Sequence, residues 1–150
     1  MSPDRASAKR RRVYLDTSAY LCILLGEEGW EELSEDTQGA ELLSSVLLLL
    51  ETKRNLIRLA REGSLTPEHY RVCMEQLEAD VSAFALRDLT LELCTSNILP
   101  AIATPRSLDL GHIRTALWFH SVDHIDRFLT KDAAQEEAAK DLGLPVATFS

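Results

Sequence analysis

Short apolar runs along the chain alternate with longer stretches in which apolar residues recur every three or four positions. The first pattern suits buried strands, and the second suits helices with one face turned inward. Val13-Tyr14-Leu15-Asp16 reads as a first strand. Thr17 and Ser18 are then expected to cap a helix through residues 20–25, stopped by Gly26. Residues 27–36 predict a second, charged helix with Trp30 and Leu33 facing inward. Gly39 marks a turn, residues 40–43 a second strand, and Ser44 or Ser45 the cap of a helix reaching about Glu62, with Gly63 as its stop. Thr66-Pro67 is a strong helix start, with Thr at the N-cap and Pro at the first position. That helix is expected over 67–81, with Tyr70, Met74, Leu77 and Val81 on one stripe. Further along, the pattern predicts a strand over 84–89, a helix over 90–97, a Pro-bounded connector over 99–107 and a helix over 108–119. A strand over 125–130, an Ala-rich helix over 132–142 ended by Gly143, and a short strand over 144–149 complete the chain.

Strands alternating with amphipathic helices predict an α/β fold: one domain, with a central, mostly parallel sheet flanked by helices. Such sheets bind ligands beyond the carboxyl ends of their strands. Asp16 and Asp132 both fall there and converge if their strands are neighbours. The 150 residues and a hydrophobic fraction of 45% fit a single core. No run of about 18 apolar residues exists, so no membrane span is expected. Residues 1–12 are polar, carry Lys9-Arg10-Arg11-Arg12 and lack the apolar segment of a secretory signal. They read as a flexible basic tail ahead of a domain over 13–150, or more sharply as an arm that touches phosphate. Cys22, Cys73 and Cys94 form no C-x-x-C pair and no zinc spacing, as expected of buried thiols in a reducing cytoplasm. The net charge of −8 disfavours non-specific binding to nucleic acid, so an RNA substrate requires a local basic patch or a bound metal.

Four acids stand where packing does not explain them. Asp16 ends an apolar strand, Glu51 interrupts the run from Val46 to Leu50, Asp109 follows Leu108 at a helix start, and Asp132 follows Phe128-Leu129-Thr130. A charge beside core residues costs free energy unless something pairs with it. Clustered carboxylates either raise one another's pKa or hold a cation. A set built only of oxygen suits Mg²⁺ or Mn²⁺. Such ions support phosphodiester hydrolysis without a Ser, Cys or His nucleophile.

These residues resemble a known family. Val13-Tyr14-Leu15-Asp16-Thr17-Ser18 is similar to the opening motif of PIN-domain nucleases, and Ser44-Ser45 leading to Glu51 is similar to their second motif. Leu108-Asp109-Leu110-Gly111-His112-Ile113-Arg114-Thr115-Ala116 resembles the third, Leu-Asp-x-x-His-x-x-Thr-Ala. Thr130-Lys131-Asp132, an Ala-rich helix and Gly143-Leu144-Pro145-Val146 resemble the last. The order and length resemble VapC-type toxins of toxin–antitoxin pairs, over about residues 13–149. The resemblance implies a Mg²⁺- or Mn²⁺-dependent ribonuclease, a homodimer, and a small antitoxin partner. It implies Asp16, Glu51, Asp109 and Asp132 as catalytic metal ligands, with Thr17, Ser18 and Thr130 orienting them or touching the scissile phosphate. The chain departs from the family at Leu110-Gly111, where Ala-Ile is common, and at Arg114, where Ala is usual; Arg114 reads as a phosphate contact or a solvated residue.

Plainer readings exist for each residue alone. Asp16, Asp109 and Asp132 are each good capping residues. Glu51 can pair with Lys53, Arg54 or Asn55. His112 reads as a packed or hydrogen-bonded structural histidine, and His120 and His124 as surface or partly buried. The alternative for the whole chain is a non-catalytic binding module whose acids hold a structural ion or a partner's Arg.

Overall fold

The computed structural model describes residues 9–96, 98–103 and 106–146. Four parallel strands, β1 (Arg12–Leu15), β2 (Glu41–Ser45), β3 (Phe84–Arg87) and β4 (Arg127–Leu129), form one sheet in the order β3-β2-β1-β4. Its helices are α1 (Thr17–Leu25), α2 (Trp30–Thr37), α3 (Leu47–Arg61), α4 (Pro67–Val81), α5 (Leu91–Thr95), α6 (Ser107–Val122) and α7 (Ala133–Asp141). The fold is therefore α/β, as the alternating pattern predicts. Parallel strands covered on both faces read as continuous apolar runs. Val13, Tyr14 and Leu15 meet that description: all three are buried, on opposite faces in turn. Tyr14 packs with Ile113, Phe119 and Phe128 on one side. Val13 and Leu15 pack with Ala19, Leu33 and Leu129 on the other. The Tyr14 and Phe128 rings stack with centroids 5.4 Å apart, locking β1 to β4.

The chain leaves β1 toward β2 and β3, whereas β4 lies on the other side of β1. Where the strand order reverses in this way, a crevice opens at the carboxyl ends. Asp16 and Thr130, the residues just past β1 and β4, lie side by side in it, with the Asp16 N–H bonded to the Leu129 carbonyl at 3.1 Å. A parallel bridge from Phe128 to Val146 marks the expected last strand; residues 147–149 lie outside the described ones.

Several local expectations need correction. Asp16, not Thr17 or Ser18, caps α1: its Oδ1 accepts the Ala19 N–H at 3.0 Å. Neither Ser44 nor Ser45 is the N-cap of α3, which is Val46 without a side-chain bond. Ser44 instead lies within β2 and donates to the Leu15 carbonyl, while the Ser45 hydroxyl accepts the Leu47 N–H. Serines at the end of a buried strand are used to satisfy backbone groups there, a demand invisible to local capping rules. Trp30 does not face inward; it is 38% exposed, and Leu33 alone carries the inner face of α2. Cys94 is exposed, while Cys22 and Cys73 are buried. β3 stops at Arg87, two residues short of Leu89. By contrast, α4 begins on its Thr66 cap and Pro67 and ends at Val81, as the sequence predicts.

The basic run is engaged with the fold. Lys9 pairs with Asp123, Arg10 donates to the Gly39 and Ala40 carbonyls, and Arg11 pairs with Asp36 at 2.7 Å. Arg12 opens β1; it is buried, and donates to the carbonyls of Phe119 and Asp123. Residues 1–8 lie outside the described ones. Among the described residues, no helix is long and apolar enough to cross a membrane.

Gly111 has a packing reason. A Cβ there would lie 2.6 Å from Leu47 Cδ1, at the contact between α6 and α3. Ala in place of Gly gains up to about 1 kcal/mol of helix propensity. Overpacking against a buried Leu costs about 1–3 kcal/mol. Gly111→Ala is therefore expected to lower stability by about 1 kcal/mol, read as an earlier urea midpoint. An unchanged or later midpoint would show that Leu47 moves aside freely.

Candidate functional site

The site grows from the turn after β1. Asp16 is 2% exposed, and its carboxylate is held at both oxygens. Oδ1 accepts from the Ser18 hydroxyl at 2.7 Å and from the Ala19 N–H; Oδ2 accepts from the Thr130 hydroxyl at 2.5 Å. Ser18 also accepts the Lys131 N–H at 2.8 Å, and Thr130 the Asp132 N–H at 3.1 Å. Two short hydroxyl side chains thus clip the end of β1 to the end of β4. Burial raises the Asp16 pKa above the ordinary range, against the lowering influence of His112 and of the Thr130, Ser18 and Ala19 donors.

A second half is built on Glu51, which projects from α3. Its Oε1 accepts from the Thr17 hydroxyl at 2.8 Å and lies 2.9 Å from His112 Nε2. His112 is 1% exposed, and its Nδ1 lies 2.7 Å from the Tyr14 hydroxyl. The ring thus donates from Nε2 to Glu51 and pairs at Nδ1 with the Tyr14 hydroxyl. Burial holds the Tyr14 pKa well above its usual value, so that hydroxyl keeps its proton. Burial pushes Glu51 upward, but the hydrogen bond and charge of His112, the Thr17 hydroxyl and Arg106 outweigh it, and the Glu51 pKa falls. Glu51 is thus held in its ionised form. Lys53, Arg54 and Asn55 do not pair with its carboxylate; Asn55 donates to the Glu51 carbonyl instead.

Asp109 lies in the first turn of α6, where a negative charge is favoured by the helix dipole, and Asp132 is the N-cap of α7. Both are half-buried. The Asp109 pKa is raised, first by burial and then by the charges of Asp132, Asp16 and Glu51. The fold thus brings the four acids named from the sequence within reach of one another's fields. Arg106, at the N-cap of α6, opposes the rise at Asp109. Arg114 is half-buried and donates to the Ser96 carbonyl at the end of α5.

Sequence reasoning missed Gln135. Its N–H bonds Asp132 Oδ1 at 2.9 Å, and its Nε2 bonds the Asp109 carbonyl at 3.0 Å. One fully buried amide therefore ties together the two helix starts that carry Asp109 and Asp132. Its Oε1 is buried without a partner among the described residues. The only signal in the sequence was a Gln three residues after a capping Asp. His112 was read as structural; its role in holding Glu51 depends on the distance between α3 and α6, which spacing does not give.

Four carboxylates drawn together in one crevice repel, and the charges of the other three add to burial in raising the Asp109 pKa. The donor set is all oxygen, which fits a hard divalent cation. Among the described residues, no three His, Cys, Asp or Glu side chains stand as they are in a ready ligand arrangement. Asp16 and Glu51 are instead turned onto hydroxyl and imidazole donors, bonds that hold their carboxylates in place.

The repulsion has a thermodynamic consequence. A carboxyl whose pKa is raised on folding binds its proton more tightly in the folded state. Its stabilising contribution is complete below the unfolded value, about 3.9 for Asp, and is lost as pH rises through the folded value. In chelator, Asp109→Asn is therefore expected to melt above the unmodified chain at pH 7. That gap should close as pH falls below about 4. Melting curves across that range check it; a variant less stable at pH 7 would show that the charge is not strained.

No protein-family model matches the chain, and no curated protein matches it.

Proposed function

We propose that this chain is a Mg²⁺- or Mn²⁺-dependent endoribonuclease of the PIN-domain kind, acting in the cytoplasm as the toxin of a type II toxin–antitoxin pair. The observation that carries this reading is the grouping of Asp16, Glu51, Asp109 and Asp132 at the carboxyl ends of β1 and β4, close enough for the other three to raise the Asp109 pKa. In this reading the four acids hold the cation. A divalent ion bound there polarises a phosphodiester, lowers the pKa of water and stabilises the leaving oxygen. The chain's own residues prepare for it. Ser18 and Thr130 fix the Asp16 carboxylate, Thr17 and His112 fix Glu51, and Gln135 fixes the backbone at Asp109 and the cap at Asp132. Preorganised charge of this kind costs no reorganisation when the reaction occurs.

The resemblance to VapC-type toxins supports the remaining parts of the proposal: RNA as substrate, a homodimer, and a small antitoxin that covers the acidic crevice. Expressed alone, the chain should arrest growth of its host, and a small protein encoded beside it should relieve the arrest. In vitro, cleavage of RNA by the purified chain should stop in excess chelator and return on adding Mn²⁺. Cleavage that continues unchanged in chelator would remove the metal from the proposal.

A second reading rests on the hydrogen bonds that already satisfy Asp16 and Glu51. Here the acids are structural, and the crevice receives an Arg from a partner protein without catalysis. It predicts no cleavage with any divalent ion, together with a weaker partner complex in Asp16→Asn.

A further inference from the structure

The strongest feature outside the acid cluster is a groove along α6. Arg106, Leu110, Arg114 and Trp118 recur at four-residue spacing, which places them on one stripe of that helix. The thirteen residues from Arg106 to Trp118 span about 18 Å. At one end, Arg106 lies close enough to the acids to lower the pKa of Glu51 and oppose the rise at Asp109. Beyond it, Leu110 and Arg114 face the connector after α5, with Leu99 and Ile102 opposite, across a cavity of about 470 Å³. The groove continues into a second cavity of about 180 Å³ lined by Arg114, Leu117, Trp118, Ser96 and Ser121. That volume is below the range of whole drug-sized ligands and suits a single ring system.

The far end has a distinctive construction. The Arg87 guanidinium lies over the Trp118 indole, 4.3 Å from the ring centroid. Arg87 makes no ion pair with any described acidic residue, and its Nε is buried without a hydrogen-bond partner. Its charge is therefore held by the aromatic face and adds to that of Arg114 and Arg106. In a chain of net charge −8, Arg87, Arg106 and Arg114 bring three positive charges to this side of α6, and Arg114 lines both cavities. Local positive charge of this kind is what an acidic protein needs before it can hold a polyanion. Aromatic and guanidinium planes in a basic groove are the surfaces on which unpaired bases stack, whereas a duplex hides its bases.

We propose that this groove binds the single-stranded RNA substrate, with Arg106 and Arg114 along the phosphates and one base seated against Trp118 in the end pocket. The inference rests on the ribonuclease reading for its choice of polymer. It adds a recognition site about three helical turns from the acids, so a base several positions from the scissile bond contributes to binding.

The chain has two tryptophans, so Trp30→Phe leaves Trp118 as the single indole reporter. In that background, with Asp109→Asn added to prevent cleavage, a mixed-sequence RNA ten-mer is titrated while Trp fluorescence is followed. Single-stranded RNA should quench the signal, more weakly as salt rises, and a blunt RNA duplex of equal length should not. Arg106→Gln should weaken the titration several-fold. Trp118→Leu, followed by anisotropy of labelled RNA, should weaken it about tenfold, in line with the loss of one stacked base. Absence of quenching, or equal quenching by duplex, overturns the proposal. So does unchanged affinity in both Arg106→Gln and Trp118→Leu, which would leave the groove to a protein partner. Cleavage by the unmodified chain without quenching refutes this site alone. Quenching without cleavage by the unmodified chain refutes the nuclease reading and leaves RNA binding standing.

Discussion

Asp16→Asn is expected to lower RNA cleavage about a thousandfold or more while leaving the fold intact. A thousandfold loss corresponds to about 4 kcal/mol of barrier. The substitution removes one negative charge from the crevice and changes little else. The Asn side chain keeps the shape of Asp, and its carbonyl oxygen can still accept the Ala19 N–H that begins α1. Asn and Asp are near-equal as helix caps. The Ser18 hydroxyl can still donate to the Asn oxygen, and the Thr130 hydroxyl, which then faces the amide NH2, has the Ser18 oxygen at 3.2 Å as another acceptor. Burial raises the Asp16 pKa, so the charge opposes folding at neutral pH without a cation. The sign is that of Asp109: the contribution is favourable at low pH and lost as pH rises through the folded value. In chelator at pH 7, the inactive variant should therefore melt no lower than the unmodified chain. Cleavage rates and melting curves on the same preparation check both halves. Full activity in Asp16→Asn would remove Asp16 from the chemistry, and a collapsed melting curve would reassign it to structure.

His112→Ala is expected to cost about 3 kcal/mol of stability. The ring is buried between Tyr14 on β1 and Glu51 on α3, and it touches Thr17 as well, with 3.0 Å from Nε2 to the hydroxyl. Removing it leaves a cavity, takes away the ring nitrogen paired with the buried Tyr14 hydroxyl, and leaves Thr17 as the remaining side-chain donor to Glu51. Large-to-small changes in cores cost about 2–5 kcal/mol, and a buried polar group left unsatisfied about 1–3 kcal/mol. For a chain of this length, 3 kcal/mol is a drop of about 6–12 °C in melting temperature. Tyr14→Phe keeps the volume and removes one hydroxyl, and should cost about 1–2 kcal/mol. Thermal unfolding of the two variants side by side checks the ranking. If His112→Ala melts within about 2 °C of the unmodified chain, the Tyr14–His112–Glu51 chain is not a structural element.

The elements of the fold were legible wherever one local cause decided them. Thr66-Pro67 begins α4 because a capping hydroxyl and a fixed φ act within three residues. Val13-Tyr14-Leu15 is a strand because both faces of the sheet are covered, and a continuous apolar run satisfies both. The four acids were legible for the converse reason: each sits against apolar neighbours that do not account for it. Legibility failed where two distant segments share a demand. Asp16 is the cap of α1 because β4 supplies Thr130 to hold its second oxygen, leaving Thr17 free to turn toward Glu51. Ser44 serves the Leu15 carbonyl across the sheet rather than a helix next to it in sequence. Gly111 reads as a weak helix residue until Leu47 is seen against it. Gln135 shows in the sequence only as a Gln three residues after a capping Asp; it matters because α6 and α7 begin side by side. In each case the missing information is a contact across long sequence separation, set by the strand order β3-β2-β1-β4.

The central claim is that the grouped carboxylates make this chain a metal-dependent ribonuclease. The most direct measurement is single-turnover cleavage of an end-labelled RNA by the purified chain in Mn²⁺, in Mn²⁺ with excess chelator, and by Asp109→Asn in Mn²⁺. Asp109 is the variant of choice because its side chain is half-exposed, and its raised pKa predicts that losing the charge stabilises the metal-free fold. The account predicts discrete fragments in the first reaction and intact RNA in the other two, with the variant folded. Equal cleavage by Asp109→Asn, or intact RNA in all three reactions with a folded, partner-free chain, would contradict it.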